Sequence, residues 1–156
     1  MSIYSYSWKY LTEIIQNNRN TEQLQRHPDM ADLYQQNVEN IISKYGSLSD
    51  HIKIKYMNWK SVKCCEDLDD RLCAVRKTGN HSLYDIIIKN DFPYNLRKGL
   101  EHYVLFSVTP LTDEQVQLRI RYHFENIKAG NFLWFVNQES NQSIPDLWHC
   151  HIIIKN

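Results

Sequence analysis

Leu147-Trp148-His149-Cys150-His151-Ile152-Ile153-Ile154 places two histidines one residue apart at the entry to an apolar, β-branched run. In a strand, residues i and i+2 share a face. The two imidazoles therefore stand side by side, ~6.5–7 Å apart at ~3.3 Å per residue, and Cys150 points to the opposite face. Such a pair has three chemical uses: a nucleophile with its neighbour, two metal ligands, or two satisfied polar groups at a strand mouth.

Working back from this strand, Phe132–Asn137 reads as its partner, joined to it through the polar loop Gln138–Ser143. Before these lies a marked helix. Thr112 and Gln115 have capping-box spacing, Leu111 and Val116 form a hydrophobic staple, and Val116, Ile120, His123, Phe124 and Ile127 make the inner stripe. That stripe makes His123 a partly buried core histidine, and Gly130 is placed to end the helix. Two earlier strands, Leu83–Ile88 and His102–Val108, flank Asn90-Asp91-Phe92-Pro93 and Lys98-Gly99 and are expected to pair antiparallel. Residues 81–156 thus run β-β-α-β-β, an α+β arrangement with an antiparallel sheet and a capped helix.

Residues 1–80 read as a mainly helical N-terminal part. Trp8, Leu11, Ile14 and Ile15 mark one helix within residues 5–17. Met30, Leu33, Tyr34, Val38, Ile41, Ile42 and Tyr45 form the stripe of a second, expected to pack on the core and to stop at a left-handed Gly46. Between Asp50 and Trp59 the pattern fits strand or helix, and a cap at Ser49 or Asp50 favours helix. The charged stretch 61–80 reads as a solvated connection with room for a short turn of helix.

The 156 residues fit a single domain, 1–156, and 42% hydrophobic with 12% aromatic content is enough for a core. Lys+Arg and Asp+Glu both number 18, so no overall field draws the chain to nucleic acid or to an anionic membrane. No leader pattern opens the sequence and no apolar run approaches the ~20 residues that span a bilayer. A cytoplasmic protein is expected. Cys64, Cys65, Cys73 and Cys150 have no CxxC spacing, and an adjacent Cys64-Cys65 pair is a poor disulfide or zinc framework, so reduced thiols are expected.

The chemistry converges on the last two strands. Asn137, Gln142 and Ser143 are hydrogen-bond donors suited to phosphate oxygens, close to the face that carries His149 and His151. A neutral imidazole attacks phosphorus at pH 7 while such donors stabilise the developing charge. A polar loop without function is the plain alternative. A metal site would use His149 and His151 with His102 or His123 as a third ligand, but no committed further ligand stands nearby. With glycines only at Gly46, Gly79, Gly99 and Gly130, the phosphate-cradling and dinucleotide fingerprints are absent, and no cofactor is expected.

Arg26-His27-Pro28, Tyr45-Gly46-Ser47, Asn90-Asp91-Phe92-Pro93-Tyr94, Glu101-His102-Tyr103-Val104, Leu133-Trp134-Phe135-Val136-Asn137 and Trp148-His149-Cys150-His151 occur in this order over nearly the whole chain. In this the chain resembles the fungal N-acetylglucosamine-induced protein family. The resemblance implies a cytoplasmic setting and a link to amino-sugar response, and it implies no particular reaction. More distantly, Asn90 through Tyr94, Gly99-Leu100-Glu101-His102, the capped helix, the strand ending in Asn137, Gln142-Ser143-Ile144 and His149-x-His151 resemble the histidine-triad superfamily.

That second resemblance implies a nucleotide or sugar-nucleotide phosphohydrolase or transferase. It puts Asn137 and Ser143 on phosphate, with Gln142 and Asn90 completing the substrate-binding set, a paired histidine as nucleophile, His102 nearby, and a homodimer. The departures are specific. Asn141 stands where the family has glycine, and the spacing from Ser143 to the histidines is longer. One triad position is missing: Leu147 occupies the first if His149 is the central nucleophile, and Ile153 the third if His151 is. The apolar residues after His151 favour His149. A degenerate triad also suits a nucleotide or amino-sugar metabolite binding protein without turnover, and the metal site on His149 and His151 is the third expectation.

Overall fold

A computed structural model describes residues 4–17, 21–65, 69–75, 82–137, 144 and 146–156. Four helices and six strands occur among them: α1 (Trp8–Gln16), α2 (Pro28–Lys44), α3 (Leu48–Tyr56), β1 (Lys60–Cys65), β2 (Asp69–Val75), β3 (Asp85–Lys89), β4 (Leu100–Ser107), α4 (Asp113–His123), β5 (Phe132–Phe135) and β6 (Trp148–Lys155). The class is α+β with antiparallel sheets, and the N-terminal helices precede the main sheet.

The main sheet has the order β3-β4-β6-β5. The expected pairings β3 with β4 and β5 with β6 both form, and β4 joins the two hairpins by lying against β6, with Val104 opposite His151 and Phe106 opposite His149. One face of this sheet takes α4. Leu105, Phe132, Cys150, Ile152 and Ile154 pack there with Val116 and Ile120. On the other face Leu133, Phe135 and Ile153 pack under α1, while Val104, Phe106 and Leu147 pack against Ile52 of α3 and Met57. The histidines lie between those two apolar clusters.

Local chemistry starts each helix. At α2, His27 is the N-cap and its Nδ1 accepts from the Asp29 amide at 3.2 Å, while Pro28 at the first turn brings a φ already suited to a helix. At α3, the Ser47 hydroxyl accepts from the Asp50 amide at 3.0 Å, so the cap is Ser47 rather than Ser49 or Asp50, and the ambiguous segment is helical as far as Tyr56; Asn58, at φ 59°, turns the chain away. The capping box at Thr112 and Gln115 forms as its spacing predicts.

Several expectations are corrected. Residues 61–80 are not a plain solvated connection: β1 and β2 make a two-stranded antiparallel hairpin there, whose stretched backbone the charge pattern hides. That hairpin brings Cys64 and Cys73 to a Cα separation of 5.2 Å, and they form a disulfide; only Cys65 and Cys150 are free thiols. Gly46 has no left-handed φ, and Tyr45 caps α2 in extended backbone. Glycine is required at 46 for space, since a Cβ would stand 2.6 Å from Cys73 Sγ and 2.7 Å from Cys64 Sγ. The α4 helix ends before Gly130, and the left-handed residue beyond it is Asn126 at φ 63°. His123 is exposed, with its ring edge-on to Phe124. Of the α2 stripe only Ile41 is buried, and Leu33 and Ile42 are exposed.

Candidate functional site

The alternation along β6 puts His149 and His151 on the face away from α4, with ring centroids 5.7 Å apart. They are nevertheless held differently. The Nδ1–H of His149 donates to the Leu147 carbonyl at 2.9 Å, and Nε2 has no hydrogen-bond partner among the described residues. Burial lowers the pKa of His149, and the bond to Leu147 offsets part of that shift. The ring is neutral at pH 7, with an available lone pair on Nε2.

His151 has both ring nitrogens engaged. Its Nδ1 lies 2.8 Å from His102 Nε2, and its Nε2 lies 3.0 Å from the Asn137 side-chain amide. The direction of this chain follows from one group that can only donate, the Tyr94 backbone N–H, which reaches His102 Nδ1 at 3.2 Å. His102 therefore carries its proton on Nε2 and gives it to His151 Nδ1, leaving the His151 proton on Nε2. The Asn137 amide meets that proton with its oxygen after a half-turn about its last torsion, and the same group contacts the Tyr94 hydroxyl at 3.1 Å.

Burial explains why these rings stay neutral. His102 is almost wholly enclosed and stacks on Tyr94, with centroids 4.6 Å apart at 22°. Burial, with a further push from the Arg26 charge, brings its pKa down to about 3. His151 is also lowered well below the ordinary histidine value, by burial first and then by His102, His149 and Arg26.

Beside the histidines lies a cleft of about 150 Å³, open at one side. Its floor is the sheet, with Val104, Phe106, His149 and His151, and its roof is α2 and α3, with Tyr34, Val38, Ile41, His51 and Ile52. The α2 stripe thus faces a cleft as well as the core. Asn90 stands at the end of β3; its Oδ1 accepts from the Phe92 amide at 2.8 Å, a tight turn that leads to Tyr94.

The sequence-predicted residues therefore divide. His149, His151 and Asn90 line the cleft, whereas His102 and Asn137 lie behind it as holders of His151. Gln142 and Ser143 lie outside the described residues. His123 cannot join a metal set with His149 and His151, because it contacts Tyr103 on the α4 face of the sheet. Among the described residues no group of three or more His, Cys, Asp or Glu is placed to hold a metal ion. Two site residues escape the sequence reading. His51 faces the cleft from α3, and Arg26 reaches it from the segment before α2. The only signal for Arg26 is its place in Arg26-His27-Pro28, which reads first as a helix start.

Residues 7–155 match the family described as "Protein of unknown function (DUF3605)", and the chain belongs to that family. It is 23% identical over 164 aligned positions to the "Uncharacterized protein YPL067C" of Saccharomyces cerevisiae, covering 96% of this chain and 78% of that protein. Among solved structures, "Crystal Structure of HTC1" is similar with a TM-score of 0.65 and 21% identity, over 97% of this chain and 86% of that one. That likeness concerns the fold.

Proposed function

We propose that this cleft handles the phosphoryl group of a nucleotide or sugar nucleotide in the manner of the histidine-triad proteins, with His149 as nucleophile. The observation that carries the reading is the state of His149: its Nδ1–H is committed to the Leu147 carbonyl, so the lone pair sits on Nε2 at the cleft wall. In the first step Nε2 attacks phosphorus; an N–P bond forms and the bond to the leaving oxygen breaks, with solvent protonating the leaving group. Water then attacks the phosphorus, the N–P bond breaks, and neutral His149 returns. In this scheme His151, His102 and Asn137 position the neighbouring wall. The N-acetylglucosamine-induced protein resemblance makes UDP-amino sugars part of the substrate set. A cytoplasmic setting belongs to the same proposal, and there the Cys64–Cys73 bond would face a reducing thiol pool.

The test is incubation with mononucleotides, dinucleotides and UDP-sugars radiolabelled at phosphorus, followed by a search for product and for an acid-labile histidyl adduct. His149→Asn is expected to abolish the adduct and lower turnover by at least about a thousandfold. Neither product nor adduct with any of these compounds would remove the enzymatic reading. Binding without turnover is the second reading, and one observation favours it: both residues that could occupy the missing triad position, Leu147 and Ile153, are buried and apolar. Neither supplies an acid to the leaving group.

A further inference from the structure

The reaction proposed above assigns no role to Arg26. Its guanidinium is fixed on two sides: Nε donates to the Phe92 carbonyl at 2.7 Å, and the group lies over the Tyr34 ring, 3.9 Å from the centroid. The Tyr94 ring is also near, at 6.0 Å. Among the described residues no carboxylate forms an ion pair with Arg26, and its two terminal nitrogens have no hydrogen-bond partner. Among the described residues Arg71 and Arg119 each pair with an aspartate, whereas Arg97 and Arg121, like Arg26, form no ion pair, and of these three only Arg26 lines the cleft. Arg26 is therefore a pre-positioned cation whose forked donors are left to the cleft it lines.

The rest of the cleft sets what accompanies the anion. Its charged groups besides Arg26 are Lys89, which reaches Glu101 at 3.4 Å, and the exposed Asp91 at the rim; Asn37, Asn90, Tyr34, Tyr56 and the imidazoles of His51, His149 and His151 add neutral polar groups. Ile41, Ile52, Ile88, Val104 and Phe106 are among its apolar wall. A volume of about 150 Å³ is half the ~300 Å³ at the small end of drug-sized sites, so the cleft has room for one ring and its anionic group.

We infer that Arg26 anchors the phosphate of a compact ligand, a phosphomonoester whose other part is a flat, largely apolar ring held between the sheet and helices α2 and α3. This rests on the phosphoryl reading of the same site and narrows it to ligands smaller than a sugar nucleotide; it requires only binding and not reaction at His149. Arg26 acts here as a specificity-determining residue: two parallel N–H donors match two oxygens of a phosphate dianion, and the aliphatic and aromatic side chains around it suit a flat ring.

Calorimetry with phenyl phosphate, inorganic phosphate and benzyl alcohol separates the two halves of the ligand. Phenyl phosphate is expected to bind the native protein at least about tenfold more tightly than either of the others, and Arg26→Met to weaken it by about tenfold to a hundredfold. Arg26→Lys keeps the charge but not the fork, and an intermediate loss is expected. Should Arg26→Met fail to fold, the side-chain Nε and Nη resonances of Arg26 in the native protein provide the readout, and they are expected to shift on addition of phenyl phosphate. The inference is overturned by unchanged affinity in Arg26→Met, by benzyl alcohol binding as well as phenyl phosphate, by unmoved Arg26 resonances, or by no binding of phenyl phosphate at millimolar concentration. His149→Asn distinguishes the two proposals. Phenyl phosphate binding that persists in this variant, in a protein that never forms a histidyl adduct, removes the nucleophile and leaves the Arg26 anchor standing.

Discussion

Strand β6 presents two unlike surfaces from one run of backbone. Toward α4 it offers Trp148, Cys150, Ile152 and Ile154 to a packed apolar layer closed by Val116 and Ile120. Toward α1, α2 and α3 it offers His149, His151 and Ile153. The first surface is chemically silent: burial pushes the Cys150 thiol up to about 12, so it stays protonated and unreactive. The second buries imidazoles, and hydrogen bonds with the Tyr94 amide, His102, Asn137 and the Leu147 carbonyl offset the cost of taking them out of water. The difference shows that depth of burial alone does not decide which imidazole keeps an unpartnered nitrogen. His149 is separated from His151 by one unshared lone pair.

The contrast can be broken most strongly on the α4 side. Ile120→Ala empties a fully buried position and is expected to cost about 2–5 kcal/mol in urea unfolding, while phenyl phosphate affinity changes less than about twofold. Affinity that falls in step with stability would show that the two faces are not independent.

A smaller effect is expected from the roof of the cleft. The Cys64–Cys73 bond staples the hairpin that holds the α2–α3 corner, where Gly46 N–H donates to the Leu72 carbonyl at 2.9 Å and the Ala74 amide to Asp50 Oδ1 at 2.7 Å. Closing a loop of this length limits the unfolded chain by an amount worth about 2.5–3 kcal/mol. The Cys64→Ser, Cys73→Ser double variant should lose that much, and hydrogen exchange should rise in α3 before α4. Equal loss of protection in both helices would place the staple's effect on the whole fold.

Acid sharpens the comparison on the histidine face. The folded pKa values of His102, His149 and His151 are all depressed, so the unfolded chain binds more protons below about 6.5. The stability these neutral rings contribute is whole above about 6.5 and declines as pH falls toward about 3, the value for His102. Each contributes up to ~1.4 kcal/mol per pH unit within its window. Unfolding free energies at pH 7 and pH 5 should show this slope, flattened in His102→Phe and unaltered in Ile120→Ala. An unchanged slope in His102→Phe would contradict the buried neutral pair.

Most elements of the main sheet were legible because their signals are local. The alternation in β6, the capping box at Thr112 and the β-branched run of β3 each need only neighbours within a few residues. The β1–β2 hairpin is not legible because β1 is largely exposed, β2 only half-buried, and charged residues interrupt both, leaving no apolar alternation to read; the disulfide is hidden with it. His123 departs from its expected place for a related reason: helical spacing puts it near the stripe, yet it is the last residue of α4, and its edge-on contacts with Tyr103 and Phe124 leave it exposed.

The sequence by itself determined that His149 and His151 share one side of a strand and Cys150 takes the other, since strand periodicity is a property of the local backbone. Only the tertiary structure decided which histidine is free. That choice depends on a proton chain begun by the Tyr94 amide and ended at Asn137, and the charge facing the cleft depends on Arg26, brought in from the far end of the chain. Hydrogen-bond direction and an unpaired charge are set by what packing places together, and no spacing along the chain encodes them.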